Sequence, residues 1–294
     1  MRQPTVNVDP NGPRWADGLP ARIALGTLLP ALLILAWWLG IRSGSAVVPT
    51  FGDVWHVLTH PFDEPEELNS RSLAFSVLLT LIRLGLGYLL AVLTAVPLGI
   101  LSGRNRVVEH VIHPLVELAR PINPVVLLPV ITVLLGVSSL ATLLFGHVDA
   151  WQYDVMDQVQ LAMVLILWYG AFFPIYLSTV HSVRQLRISH LETMHLLGAG
   201  RWHLFRWVIL PYILPAIANG MRIALGISWL VIIAAEIFPG TRSGLGYMLC
   251  TACKTSDYEY TFAAIIVIGI IGLLLNEMFR RFEQNVSHWR TLEK

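Results

Sequence analysis

Residues 161–180 run for a full twenty positions without a formal charge, and five other long apolar runs lie along the same chain of 294 residues. A helix of about twenty apolar residues spans the hydrocarbon of a bilayer. In lipid the backbone N–H and C=O groups have no water to bond, so each such run has to satisfy them internally and therefore has to be helical. The runs are 21–41, 73–101, 111–135, 161–180, 207–239 and 258–279. Only 13% of residues are charged, against about 25% in soluble domains, while 55% are hydrophobic and the mean hydropathy is +0.64. The expectation is an all-α integral membrane protein of about six transmembrane helices, with no segment left over for an independent soluble domain.

The runs differ in ways that shape the bundle. The first is long enough to be a retained span and lacks the short core and small-residue cleavage site of a signal peptide; Trp37 and Trp38 stand near its exit, as interfacial aromatics do. The second contains Arg83, placed near the membrane edge. The third carries Pro114, Pro121, Pro124 and Pro129, which predict a kink or break whose irregular backbone must be buried in protein. Gly85, Gly87, Gly220 and Gly226 are expected to serve close helix packing.

Six spans put both termini on one side. With that side inside, thirteen Lys and Arg residues lie in cytoplasmic pieces, among them Arg104, Arg106, Arg184, Arg187, Arg201 and Arg206, while only Arg42, Arg71, Arg242 and Lys254 lie outside. The positive-inside rule then gives a cytoplasmic tail over 1–20, a membrane domain over 21–282, a cytoplasmic loop near 184–206 and a cytoplasmic tail over 283–294. Basic residues are thus distributed by membrane side and form no nucleic-acid patch. The segment 136–160, with Asp149, Asp154 and Asp157, falls outside.

The loop that opens 189–215 is itself patterned. Ser189 and Glu192 have the spacing of a capping box. Leu191, Met194 and Leu197 recur at three-residue spacing, and Gly198 and Gly200 supply the permissive backbone that ends a helix. Two turns are too few to be stable alone in water. The apolar stripe needs cover, either from a cytosolic protein or from the chain's own bundle and the lipid interface.

Catalytic signatures are scarce. The sequence has no H-E-x-x-H or G-x-S-x-G, and Lys254-Thr255 lacks the preceding glycines of a phosphate-binding loop. Cys250 and Cys253 form a lone C-x-x-C, read as structural residues one helical turn apart or as an adventitious disulfide; two ligands do not complete a zinc site. His190, His195 and His203 read as surface-loop histidines. Inside the spans, Glu117 and Arg120 lie three residues apart before Pro121-Ile122-Asn123-Pro124, and Arg222 and Glu236 lie in the fifth run. Arg120, Arg222 and Glu236 are candidates for a substrate path, with the arginines offering charge to an anion; the alternative is an ion-pair network, such as Glu117 with Arg120, that fixes packing.

Glu192-Thr193-Met194, Gly198 and Ile209-Leu210-Pro211 resemble the cytoplasmic E-A-A loop of permease subunits of ABC-type importers. Arg120 to Pro124 with Leu128-Pro129, Phe173-Pro174-Ile175, Gly220 to Gly226, Ala234-Ala235-Glu236 and Ser243 to Tyr247 are similar to the nitrate, sulfonate, taurine and bicarbonate branch, in order over about 73–282. Thr193 and Met194 replace the paired alanines, and Asn123 stands where a proline is common. The resemblance implies a type I importer permease bundle in a bacterial inner membrane that carries a small oxyanion. It also implies two permease copies and a periplasmic or lipid-anchored solute-binding protein. Separate cytoplasmic ATP-binding subunits would hold ATP and Mg, this chain having no cofactor of its own. On that basis Leu191, Glu192, Thr193, Met194, Leu197, Gly198 and Pro211 form the ATPase-coupling loop. The rival classes are an ion-coupled secondary transporter, which would couple through acids such as Glu117 and Glu236, and a membrane scaffold.

Overall fold

A computed structural model of the chain describes residues 19–43, 47–65, 71–135, 158–186, 198, 200–238, 241 and 243–287. The described elements are helical: α1 (Leu19–Arg42), α2 (Phe51–Thr59), α3 (Leu73–Arg104), α4 (Arg106–Ala119), α5 (Pro124–Leu135), α6 (Leu161–Arg184), α7 (Arg201–Leu204), a π-turn (Phe205–Ile209), α8 (Leu210–Ile237), α9 (Leu245–Thr255) and α10 (Tyr258–Ser287). Among the described residues four helices are long and apolar enough to cross a membrane, and five if α4 and α5 count as one broken span. The 24-residue α1 covers the remaining expected run.

Helix starts follow from capping. Thr50 accepts from the Asp53 N–H while Asp53 Oδ2 accepts from the Thr50 N–H, a reciprocal capping box for α2. Ser72 Oγ accepts from the Phe75 N–H at the start of α3, and Asn105 Oδ1 from the Val107 N–H at the start of α4.

The centre of the bundle is α6, packed chiefly against α3 and α8. Half of its apolar window is buried, against 11% for α10, so α6 is the column and α10 a peripheral helix. Small residues allow the approach. A Cβ added at Gly99 would lie 2.6 Å from Thr179 Cβ, and one at Gly103 2.6 Å from Val183 Cβ; Gly87 meets Leu167 in the same way. Lipid is as apolar as a side chain, so close contact of this kind is what holds two spans together. Gly220 likewise abuts Ser178, but Gly85 and Gly226 have nothing within 4 Å, so only half of the four glycines expected to pack do so. We expect Gly99→Val to cost about 1–3 kcal/mol through overpacking. Gly85→Val should stay within about 0.5 kcal/mol of the parent in the same thermal unfolding series.

The glycine register also fixes direction. Contacts advance together, from 87 with 167 to 103 with 183, so α3 and α6 run parallel. The chain must therefore return between them, through the segment that includes α4 and α5. Those two helices meet at 101°, which is the break that the prolines predict. Gly170 lies near Ile227 and Val231 while Gly220 meets Ser178, so α8 is antiparallel to α6. Gly272 meets Trp229, and Arg222 bonds Asn276 and Glu283, so α10 is antiparallel to α8. Trp37, near the end of α1, packs on Phe262 at the start of α10, with ring centroids 5.2 Å apart. Accordingly α1 begins at the end of the bundle where α10 finishes.

Candidate functional site

The break between α4 and α5 is built from residues that cannot continue a helix. Arg120 ends α4 by donating its N–H to the Val116 carbonyl, and Pro121 has no N–H to extend the ladder. Asn123 Oδ1 accepts from the Val125 N–H at 3.0 Å, which makes it the cap of α5 with Pro124 in the first helical position. That capping bond is a physical reason for an asparagine at 123. Tyr169 on α6 donates its hydroxyl to the Ala119 carbonyl and so satisfies backbone at the break.

Beside the break lies a cavity of about 400 Å³, lined among others by Arg120, Tyr169, Phe173, Ser178, Ile223 and Ile227. Its walls come from the break, α6 and α8. Glu117 faces His113, with His113 Nε2 3.2 Å from its carboxylate, and does not pair with Arg120 as the sequence suggested. The two side chains that do meet are one helical turn apart on α4. Among the described residues the Arg120 side chain has no ion pair or hydrogen bond, and it is exposed at the cavity wall.

Arg222 is elsewhere. It donates to Glu283 Oε2 at 3.1 Å and to Asn276 Oδ1 at 3.2 Å, and it lines a separate cavity of about 540 Å³ with Gly226 and Leu230. Ile223 and Ile227 line both cavities, so a ridge of α8 divides the two arginines. The structure does not bring Arg120 and Arg222 together, and it gives Arg222 a carboxylate partner of its own.

Glu236 is placed differently again from the substrate path on which sequence reasoning set it. Its side chain is fully buried and accepts from Arg83 Nη1 at 2.7 Å, Thr80 Oγ1 at 2.9 Å and the Gly246 N–H at 3.0 Å. Arg83 also donates to the Ser243 carbonyl at 2.8 Å and to the Gln158 carbonyl at 2.7 Å. Leu245 N–H donates to Thr80 Oγ1. The carboxylate and guanidinium thereby join α3, the approach to α6, the end of α8 and the start of α9. Gly244 at φ +114 and Gly246, whose hypothetical Cβ would meet the Ile233 carbonyl, let the loop press onto the carboxylate. Arg83 is 1% exposed, so protein groups and not water solvate its charge. An isolated charge buried in a span is too costly to leave unpaired, and its counter-charge 153 positions away is what permits it. Sequence reasoning set Arg83 aside; the usable signal was the presence of one buried-span cation and one buried-span acid of opposite sign.

Of the patterned loop, Leu191, Glu192, Thr193, Met194 and Leu197 lie outside the described residues. Gly198 is described, exposed and left-handed at φ +71, as a helix-ending glycine is. Beyond it the chain enters a continuous 36-residue helix, Trp202–Ile237, so Pro211 is in the first turn of α8 and not in a loop. Pro211 has no N–H for the preceding turn. A π-turn covers that gap, with Leu210 N–H donating to the Phe205 carbonyl one residue further back than in an α-helix. Cys250 and Cys253 lie in α9, both as free thiols.

Residues 95–288 match the family described as binding-protein-dependent transport system inner membrane component. The chain is 33% identical to a putative ABC transporter permease protein of Methanocaldococcus jannaschii, over 92% of this chain and 94% of that one. It is 32% identical to a putative aliphatic sulfonates transport permease protein of Bacillus subtilis, over 90% and 87% respectively. A bicarbonate transport system permease protein of Synechococcus elongatus is 28% identical over 90% of this chain and 89% of its own length.

Proposed function

Because the chain belongs to the family of binding-protein-dependent transport system inner membrane components, we propose that it is the permease subunit of an ATP-driven importer and forms the path of a small oxyanion. The observation that carries the substrate class is Arg120. Its unpaired guanidinium stands on a cavity wall at a helix break, where a planar, permanently charged fork matches the oxygens of nitrate, bicarbonate or a sulfonate. The similarity to sulfonate and bicarbonate permeases supports the same class.

ATP hydrolysis belongs to separate cytoplasmic subunits, which bind ATP and Mg and grip the segment around Glu192 and Met194. Solute arrives from a binding protein on the opposite face, and two copies of the chain complete the path. The termini face the cytosol: Arg104, Arg106, Arg184, Arg206, Arg280 and Arg281 all sit toward the end of the bundle where α1 begins and α10 finishes, which supports that side as the inner one. Nucleotide-driven closure of the ATP-binding subunits would move the coupling segments, and through the continuous helix behind Gly198 it would move α8, one wall of the Arg120 cavity.

Arg120→Gln is expected to lower uptake of labelled oxyanion at least about tenfold, the worth of one charge-assisted hydrogen bond. Protein level and thermal stability should be unchanged, since among the described residues the Arg120 side chain makes no ion pair or hydrogen bond. Undiminished uptake by this variant would remove Arg120 from the path.

A further inference from the structure

At the end of the bundle where α1 begins and α10 finishes lies another cavity, about 480 Å³, between facing polar stripes of α4 and α6. Glu109, His113 and Arg120 come from α4 and its cap, and Ser178, His181 and Arg184 from α6. The successive spacings, four then seven on α4 and three then three on α6, keep each set on one helix side. Arg184 and Glu109 form an ion pair across the groove. His113 rests against Glu117, and Gln185 Nε2 is 2.8 Å from His181 Nε2. Arg120, which also walls the cavity at the break, has no partner among the described residues. The lining thus carries two guanidiniums against one carboxylate, together with a hydroxyl and two imidazoles.

We propose that this cavity is a second oxyanion-binding station, in which the anion takes the guanidinium fork of Arg184 in exchange for Glu109 while Arg120 holds its other side. This rests on the reading of the chain as an oxyanion permease. The exchange is feasible because the Arg184 and Glu109 side chains are 44% and 23% exposed, so a displaced Glu109 carboxylate turns to water and is not left buried and unpaired. A guanidinium binds a two-oxygen anion through parallel hydrogen bonds as readily as it binds a carboxylate, so a soluble oxyanion competes with Glu109 on equal chemistry. Filling the station releases the ion pair that ties the start of α4 to the end of α6. An oxyanion can reach it from two sources, the solute pool on that side or the phosphate of a neighbouring lipid.

The test uses the purified full chain in nanodiscs of a neutral, phosphate-free galactolipid, titrated with nitrate, bicarbonate or taurine against chloride at constant ionic strength, with thermal unfolding as the readout. At least one anion should raise Tm saturably. Arg184→Gln and Arg120→Gln should weaken that effect about tenfold. Glu109→Gln frees Arg184 from its competitor and should tighten binding about fivefold, the upper worth of an exposed pair. A saturable response in neither the parent nor Glu109→Gln overturns the station, as does Glu109→Gln weakening the response as much as Arg184→Gln does. Even if Arg184→Gln fails to fold, the direction of the Glu109→Gln change decides. Repeating the titration in discs containing phosphatidylglycerol separates the sources: a response to soluble anion that survives assigns the site to solute, and one that vanishes assigns it to a lipid phosphate. Uptake by the assembled transporter without binding in discs removes the station alone; binding without uptake of any oxyanion removes the permease reading and leaves the station.

Discussion

Glu236→Ala is expected to cost the fold about 3–5 kcal/mol, the largest single-residue loss in the bundle, because it leaves a buried guanidinium without its counter-charge. Among the described residues Arg83 would keep the Ser243 carbonyl and hydroxyl and the Gln158 carbonyl, Thr80 Oγ1 would keep only the Ser76 carbonyl as acceptor, and the Gly246 N–H would lose its acceptor. Those bonds fasten the ends of α3 and α8 to the start of α9, so the loss should be seen as early melting of that end of the molecule. Arg83→Ala should be as damaging for the mirror reason. The pair Arg83→Met with Glu236→Gln removes both charges and keeps an acceptor for Thr80 and Gly246; it should recover most of the loss of either single change. Thermal unfolding of the three variants in one detergent checks this. A double variant no more stable than the worse single one would show that the node works through something other than charge pairing.

Gly198→Pro should abolish coupling without harming insertion. Gly198 holds φ +71, and a proline ring fixes φ near −65°. The turn that leads from the patterned loop into the 36-residue helix must then be rebuilt. Glu192→Arg attacks the same segment by reversing a charge at its expected cap. Uptake should fall by more than about tenfold in both, since each removes at least about 1.4 kcal/mol of the coupling between nucleotide state and membrane path. Abundance and thermal stability should stay near the parent, because among the described residues nothing lies within 4 Å of a Cβ added at Gly198. Normal uptake by both variants would mean that this segment does not transmit the stroke.

What could be read from the sequence was what local chemistry dictates. Apolar length placed α3, α6, α8 and α10 with good accuracy, and four prolines foretold the broken pair α4 and α5. Arg120 reached a cavity at that break because Pro121 and Pro124 force the backbone to turn where the guanidinium emerges. Long-range pairing was less legible. Nothing within a helical turn of Arg83 announces Glu236, 153 residues on, so their pairing could not be read locally. Spacing misled at Glu117, which is three residues from Arg120 and four from His113 and turns to the latter. Pro211 was assigned to the loop by its resemblance to the Leu-Pro that follows the E-A-A segment, whereas a π-turn just before it carries the helix through. Gly87 and Gly226 look alike in sequence, and only the neighbouring helix decides that the first is crowded and the second open.

The central claim is that this chain is the membrane half of an importer whose engine is a separate ATPase. Its most direct test is reconstitution of the chain in liposomes with its ATP-binding subunits and solute-binding protein, with ATP hydrolysis and uptake of labelled nitrate, bicarbonate, taurine and an alkanesulfonate measured together. The account predicts a stable complex in which one of these oxyanions, presented by the binding protein, stimulates hydrolysis and accumulates inside against its gradient. Absence of a complex, or accumulation that proceeds without ATP, would contradict it.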